Sequence, residues 1–300
     1  MGTLSIFGFR AMWSPEFLLF TVIVLFLYFM LIGPWRYKFK NHEKVSPLKI
    51  FYFSTALILL YIIKGSPVDL LGHLMFSVHM TQMAFLYLAI PPLLILGLPN
   101  YLLEAIVDRP IVSPMLRFFT KPVLALILFN GLFSFYHIPF IFDTVKTDPL
   151  LHAAVTILIF LSALIMWFPL TNQLPKWNTL VGVKKIGYVF ADGVLLTPAC
   201  ALIIFANTPL YATYYDPAVW MEALSLCVPG GVLTTLSLTG PEMFMNMPLM
   251  QDQQLGGVIM KVFQEIVFIC ILGYVFFEWV KRERVKDQEE LNAYLNPQAR

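Results

Sequence analysis

The sequence predicts an all-α integral membrane protein: a seven-span helical bundle with its N-terminus outside and its C-terminus cytoplasmic. Three observations carry this. Hydrophobic residues fill 59% of the 300 positions and charged ones 13%, at a mean hydropathy of +0.75, which leaves too little polar surface to cover a water-facing core. The apolar residues gather into runs near the roughly 20 residues a helix needs to cross a bilayer. The basic residues fall on alternate loops, as cytoplasmic loops require.

The runs are Phe17–Ile32, Leu48–Ile63, Leu70–Leu96, Pro122–Phe140, Leu150–Leu170, Ile186–Ala206 and Val258–Val280. Helices are the default because lipid leaves a bare peptide group unsatisfied, and the alternation of barrel strands is absent. The first run reads as a retained, reverse-oriented anchor, since its positive charge follows it and no small-x-small cleavage site does. Met221–Leu238 is apolar too, but Pro229, Gly230 and Gly231 interrupt it, and a further full span would put the basic tail outside; it reads as interfacial or re-entrant. Residues 1–280 therefore form one membrane domain with a Met-rich outer loop at about 207–257, and 281–300 a charged cytoplasmic tail.

Sixteen of the 20 basic residues lie on one set of loops: Arg36 to Lys49, Arg109 to Lys121, Lys176 to Lys185, and Lys281 to Arg300. Only Arg10, Lys64, Lys146 and Lys261 lie on the other. A net charge of +2 offers no broad basic face for nucleic acid. Cys200 and Cys270 sit in apolar runs and Cys227 in a loop, so no disulfide framework exists to read a redox compartment from.

On this topology the side chains able to bind a metal segregate. His73 and His79 fall at the outer start of the third span, His137 at the outer end of the fourth and His152 at the outer start of the fifth; only His42 is cytoplasmic. Eleven of 14 methionines share the outer side. The string His73-x-Met75-x-x-x-His79-Met80-x-x-Met83, wound at about 100° per residue, spreads these side chains over one broad helix face, with Asp69 alongside. Soft thioethers with neutral imidazoles select Cu(I) over oxygen-preferring cations. The competing account is packing, because Met fills membrane cores and a polar His bonds neighbouring helices. For His137 and His152, a pair with Asp143 or Asp148 is the bland alternative.

Accessory candidates are the Met243-x-Met245-x-Met247-x-x-Met250 string, Asp252, and Cys200, which falls level with His79 on straight spans. Asp192 is the deep carboxyl of the sixth span, either on a proton or ion path or capped by a neighbouring Thr or Asn. Lys261 and Glu265 read as an i,i+4 ion pair. The chain lacks His-Glu-x-x-His, a Gly-x-x-x-x-Gly-Lys loop and Gly-x-Ser-x-Gly, and Lys261 sits too near the outer lip for a retinal lysine; no catalytic constellation is present.

Several blocks also match a known pattern. His79-Met80-x-x-Met83, Ile90-Pro91-Pro92-Leu93-Leu94-Ile95-Leu96-Gly97-Leu98-Pro99, His137-Ile138-Pro139, Leu151-His152, Trp167-Phe168-Pro169-Leu170 and Asp252-Gln253-Gln254-Leu255-Gly256-Gly257-Val258-Ile259-Met260 occur in this order. Together they resemble the CtaG family of caa(3)-type cytochrome c oxidase assembly factors of Bacillus-like bacteria. The resemblance implies a multi-pass plasma-membrane protein that partners the lipid bilayer and cytochrome c oxidase subunits and assists copper delivery from an unnamed donor. It points to His73, His79, His137, His152 and the Asp252 motif; the long Met-rich insert before Asp252 departs from the family. Three other readings use the same residues: a haem-binding or electron-transfer protein with axial histidines, a copper importer with Asp192 on its path, and a metal-free assembly scaffold.

Overall fold

The computed structural model describes residues 4–228, 230–233, 236, 240–244 and 247–295, and these contain helices but no strand. In chain order the main helices are α1 (Pro15–Ile32), α2 (Pro47–Gly65), α3 (Pro67–Leu74), α4 (Phe76–Gly97), α5 (Asn100–Val107), α6 (Val112–Phe119), α7 (Pro122–Tyr136), α8 (Pro139–Thr147), α9 (Pro149–Thr171), α10 (Val183–Ile204), α11 (Pro217–Leu224) and α12 (Leu249–Leu295). Their starts are written locally. Proline opens α1, α2, α3, α7, α8, α9 and α11, where its missing N–H has no intrahelical partner to lose. Ser46, Ser66, Asp148 and Asp216 accept backbone N–H bonds in the first turns of α2, α3, α9 and α11.

Among the described residues, six helices (α1 with the turn before it, α2, α4, α9, α10 and α12) are long and apolar enough to cross a membrane. A seventh crossing results if α6 and α7, bent by 83° between them, count as one. The main core gathers α4, α7, α9, α10 and α12 around Phe129, Phe133, Trp167, Leu196 and Met260. A satellite core of Phe7, Leu70, Leu74, Trp220, Leu224 and Val228 caps one end, built from the N-terminal turn, α3 and α11. The apolar stretch from Met221 is thus two short helices, α11 and Gly230–Leu233, with Leu224, Val228 and Leu233 in that satellite core; Leu238 lies outside the described residues.

Three boundaries differ from the sequence reading. The run Leu70–Leu96 is two helices, because Met75 is extended at φ −131°, ψ 129°. The backbone groups this break releases are matched elsewhere, as burial demands. Phe76 N–H donates to Asp252 Oδ2 at 2.6 Å, and the Gly72 carbonyl accepts from Tyr214 Oη at 2.7 Å. The fourth run ends at Tyr136, and Pro139 and Phe140 open α8. The last helix starts at Leu249 and continues without a break to Leu295, absorbing both the end of the Met-rich loop and most of the charged tail.

Proline shapes α4 as well. Pro91 has no N–H for the Tyr87 carbonyl, and a π-helical turn over Phe85–Ala89 precedes it. Trp167 Nε1 on α9 donates to that carbonyl at 3.0 Å, tying the two helices together.

The loops after α1, α5 and α9 share one end of the bundle: a cleft of about 570 Å³ is lined by Lys38, Lys40, Asp108, Arg109 and Lys176. His73, which follows the far end of α2, lies at the opposite end.

Candidate functional site

At that opposite end four helix termini deliver four histidines. His73 comes from the last turn of α3, His79 from the first turns of α4, His137 from the residue after α7, and His152 from the first turn of α9. They form two pairs, with ring centroids 5.9 Å apart for His73 and His152 and 6.5 Å for His79 and His137. His73, His79 and His137 are buried at 3%, 1% and 6% exposure.

Their hydrogen bonds are incomplete. His79 Nε2, His137 Nε2 and His152 Nδ1 are buried without a protein partner. His137 Nδ1 lies 2.7 Å from the Phe133 carbonyl, which can only accept, so Nδ1 carries the proton and a neutral ring presents a bare lone pair at Nε2. The alternative of His–Asp pairing is not what these aspartates do. Asp143 accepts from Ala212 N, Thr213 N and Thr213 Oγ1 at 3.0, 3.0 and 2.9 Å, and Asp148 accepts from Leu151 N at 2.7 Å. Phe142, Phe76 and Tyr136 crowd His79, with centroids at 5.1, 6.0 and 6.2 Å.

Beyond His73 lies a second group. Asp69, His73 and Cys227 each turn a metal-binding atom to within 4.8 Å of the others. Asp69 Oδ1 accepts from Lys64 Nζ at 2.5 Å and Gln82 Nε2 at 3.1 Å, while the Cys227 thiol is 3.7 Å from Oδ2. Lys146 Nζ, on α8, is 3.5 Å from His73 Nδ1. Burial, with Lys146 beside it, holds His73 well below the usual imidazole range and therefore neutral. Burial also lowers the Lys146 ammonium to about 8 and pushes the Cys227 thiol up.

The break at Met75 removes the single broad face expected for His73, Met75, His79, Met80 and Met83. Met75 turns to the satellite core with Met12 and Met221, whereas Met80 and Met83 are buried in the main core, Met80 against Gly256. Asp252 is a helix cap rather than an open ligand: both oxygens serve Phe76 N and the Ser77 amide and hydroxyl. Cys200 is buried on α10 with its carbonyl beside Gly257, and the cysteine that joins a donor cluster is Cys227 instead. Met243 is 49% exposed, Met247 half-buried, and Met245 lies outside the described residues. Asp192 accepts from Asn130 Nδ2 at 2.6 Å, and Lys261 pairs with Glu265 at 2.7 Å while also donating to Thr197 at 2.9 Å.

Sequence reasoning missed Cys227, Lys64 and Lys146 as neighbours of His73. The available signal was charge: Lys64 and Lys146 are two of only four basic residues set apart from the loops that carry the other sixteen.

Neither the curated proteins nor the solved structures gave a match to this chain. A family model does: that of the cytochrome c oxidase caa3 assembly factor (Caa3_CtaG) matches residues 26–282, from within α1 to α12, and takes in all four histidines and Asp252. This chain belongs to the cytochrome c oxidase caa3 assembly factor family.

Proposed function

We propose that this assembly factor lies in a bacterial plasma membrane with its histidine end outside and its basic loops cytoplasmic, and that it carries Cu(I) toward a cytochrome c oxidase subunit. The observation that supports this best is the trio of buried, unpartnered imidazole nitrogens at His79, His137 and His152. Leaving a polar atom buried and unsatisfied costs about 1–3 kcal/mol each, and neutral imidazole nitrogens are what Cu(I) accepts.

His79 and His137 are the first ligands in this reading. With metal–nitrogen bonds of about 2 Å, two imidazoles on one ion have centroids about 6 Å apart; the observed 6.5 Å is close to that spacing. The aromatic rings packed within about 5–6 Å of His79 stand where a porphyrin would have to lie, which favours metal transfer over haem binding. His152 Nδ1 supplies a further position through which the ion exchanges ligands one at a time. Asp192, the deep carboxyl an importer's path would use, is held at Oδ1 by Asn130.

The test is Cu(I) competition against a calibrated chelator under reducing conditions, on detergent-purified protein, for the wild type and His79→Ala/His137→Ala. The expected result is tight binding in the wild type and loss of one equivalent in the variant with its helicity intact. A wild type that leaves the chelator fully loaded overturns the proposal in favour of a metal-free scaffold, and a variant that binds as the wild type does overturns His79 and His137 as the ligands.

A further inference from the structure

We infer that Cys227 and His73, flanked by Asp69, form a second Cu(I) site, separate from the His79–His137 pair and joined to it by His152. The inference deepens the copper reading above and rests on it for the identity of the ion.

Three donors of different type meet here from positions that no local pattern connects. Asp69 and His73 lie one turn apart on α3, and Cys227 lies in the turn after α11, 154 residues beyond His73. The thiol's partner is weak, since a sulfur 3.7 Å from a carboxylate oxygen makes a poor hydrogen bond, and the other carboxylate oxygen is already held by Lys64 and Gln82. Sulfur and neutral imidazole together suit a soft ion.

Charge decides which soft ion. Lys64 is 2.5 Å from Asp69 and Lys146 is 3.5 Å from His73, so two amines border the cluster. When Cu(I) binds, the S–H bond of Cys227 breaks, its proton leaves to the solvent, and an S–Cu bond forms; the copper remains Cu(I). One positive charge replaces another, and the net charge of the buried site is unchanged. A divalent ion in the same exchange adds a full charge to a site where Lys64 and Lys146 already outweigh the single carboxylate of Asp69, in a medium of low dielectric where such repulsion is poorly screened. The site therefore takes a monovalent soft ion and rejects zinc.

Position gives this site a role distinct from the histidine pair. Cys227 is half-buried under the satellite core, and His73 stands 5.9 Å from the His152 ring. The ion is received at the half-buried Cys227, which gives up its thiol proton as copper binds, and is passed by way of His152 toward the enclosed pair.

The probe is Cu(I) alone, titrated anaerobically into full-length protein in detergent, with copper-edge X-ray absorption and a stoichiometry count. Wild type is expected to hold two equivalents with a short copper–thiolate shell. Cys227→Ser is expected to hold one and lose that shell, while His79→Ala/His137→Ala holds one and keeps it. If Cys227→Ser retains the wild-type stoichiometry and sulfur shell, the second site is wrong even where the histidine variant behaves as expected. If zinc binds and is lost with Cys227, the ion assignment is wrong. A measurement without any variant guards against misfolding: alkylation of Cys227, resolved by mass spectrometry, is expected to fall at least tenfold on Cu(I) addition while exposed Cys270 reacts unchanged, and equal labelling of Cys227 overturns the inference.

Discussion

Replacing Asp252 should unseat the start of α4, and the structure sets the size of the effect. The carboxylate is 1% exposed and accepts from Phe76 N at 2.6 Å, from Ser77 N at 3.3 Å and from the Ser77 hydroxyl. These amides are the ones the extended Met75 strips of their intrahelical partners. Asp252→Ala leaves two buried N–H groups without acceptors at about 1–3 kcal/mol apiece, less the recovered cost of burying a carboxylate, for a net loss of about 3 kcal/mol. Asp252→Asn keeps an acceptor for one amide but turns an NH₂ toward the other, and should lose about half as much. Ser77→Ala removes only the hydroxyl; combined with Asp252→Ala it should show a coupling of about 1 kcal/mol, because one bond is counted in both single variants. The assay is reversible unfolding in mixed micelles titrated with a denaturing detergent, with helicity checked beforehand. If Asp252→Ala lies within about 0.5 kcal/mol of the wild type, the carboxylate is not the cap of α4 and the account of the broken third span fails.

Three other outcomes follow from neighbouring contacts. Lys146 is lowered from 10.5 to about 8 by burial, so the unfolded chain binds the extra proton between those pH values and the wild type gains stability as pH rises through that window. Lys146→Met should accordingly stabilise by about 3 kcal/mol at pH 7, with the advantage vanishing above about pH 10; a pH-independent difference contradicts this. At Gly97 an added Cβ would lie 2.6 Å from the Phe53 backbone nitrogen, so Gly97→Ala should push α4 from α2 and cost about 1–3 kcal/mol, measured by the same unfolding titration. Trp167→Phe keeps the ring but strips the Tyr87 carbonyl of the donor that stands in for Pro91, and should cost about 1–3 kcal/mol; pairing it with Pro91→Ala, which restores an N–H to α4, should recover part of that loss.

How much of this was legible in the sequence depends on whether the cause is local. The long apolar helices could be read because an apolar run of membrane length has few other uses, and the proline and Ser/Asp starts mark most helix beginnings. Pro91-Pro92 carried a local signal for the disturbance of α4 that the apolar run masked. Little near Met75 announces the break there: Gly72 is a single glycine of the kind a helix tolerates, no proline is adjacent, and the acceptor that makes the break tolerable, Asp252, is 176 residues from Phe76. The helical wheel for His73 to Met83 failed for that reason. The histidine end was legible because so few histidines exist and they cluster once the topology is drawn. Cys227 was not, since an apolar loop with one cysteine carries no periodicity to tie it to α3. Leu249 as the start of α12 was within reach: Pro248 precedes it and Asp252 sits in its first turn, both ordinary start signals.

The length of α12 has a mechanical meaning. At about 1.5 Å per residue its 47 residues extend about 70 Å, more than twice a hydrocarbon core of about 30 Å. Asp252 grips the α3–α4 junction from the first turn of this rod, and the charged stretch from Lys281 occupies its other end. A tilt of a few degrees at the histidine end therefore sweeps the charged end through several ångströms. One unbroken helix can make the state of the buried junction legible to whatever meets its charged end.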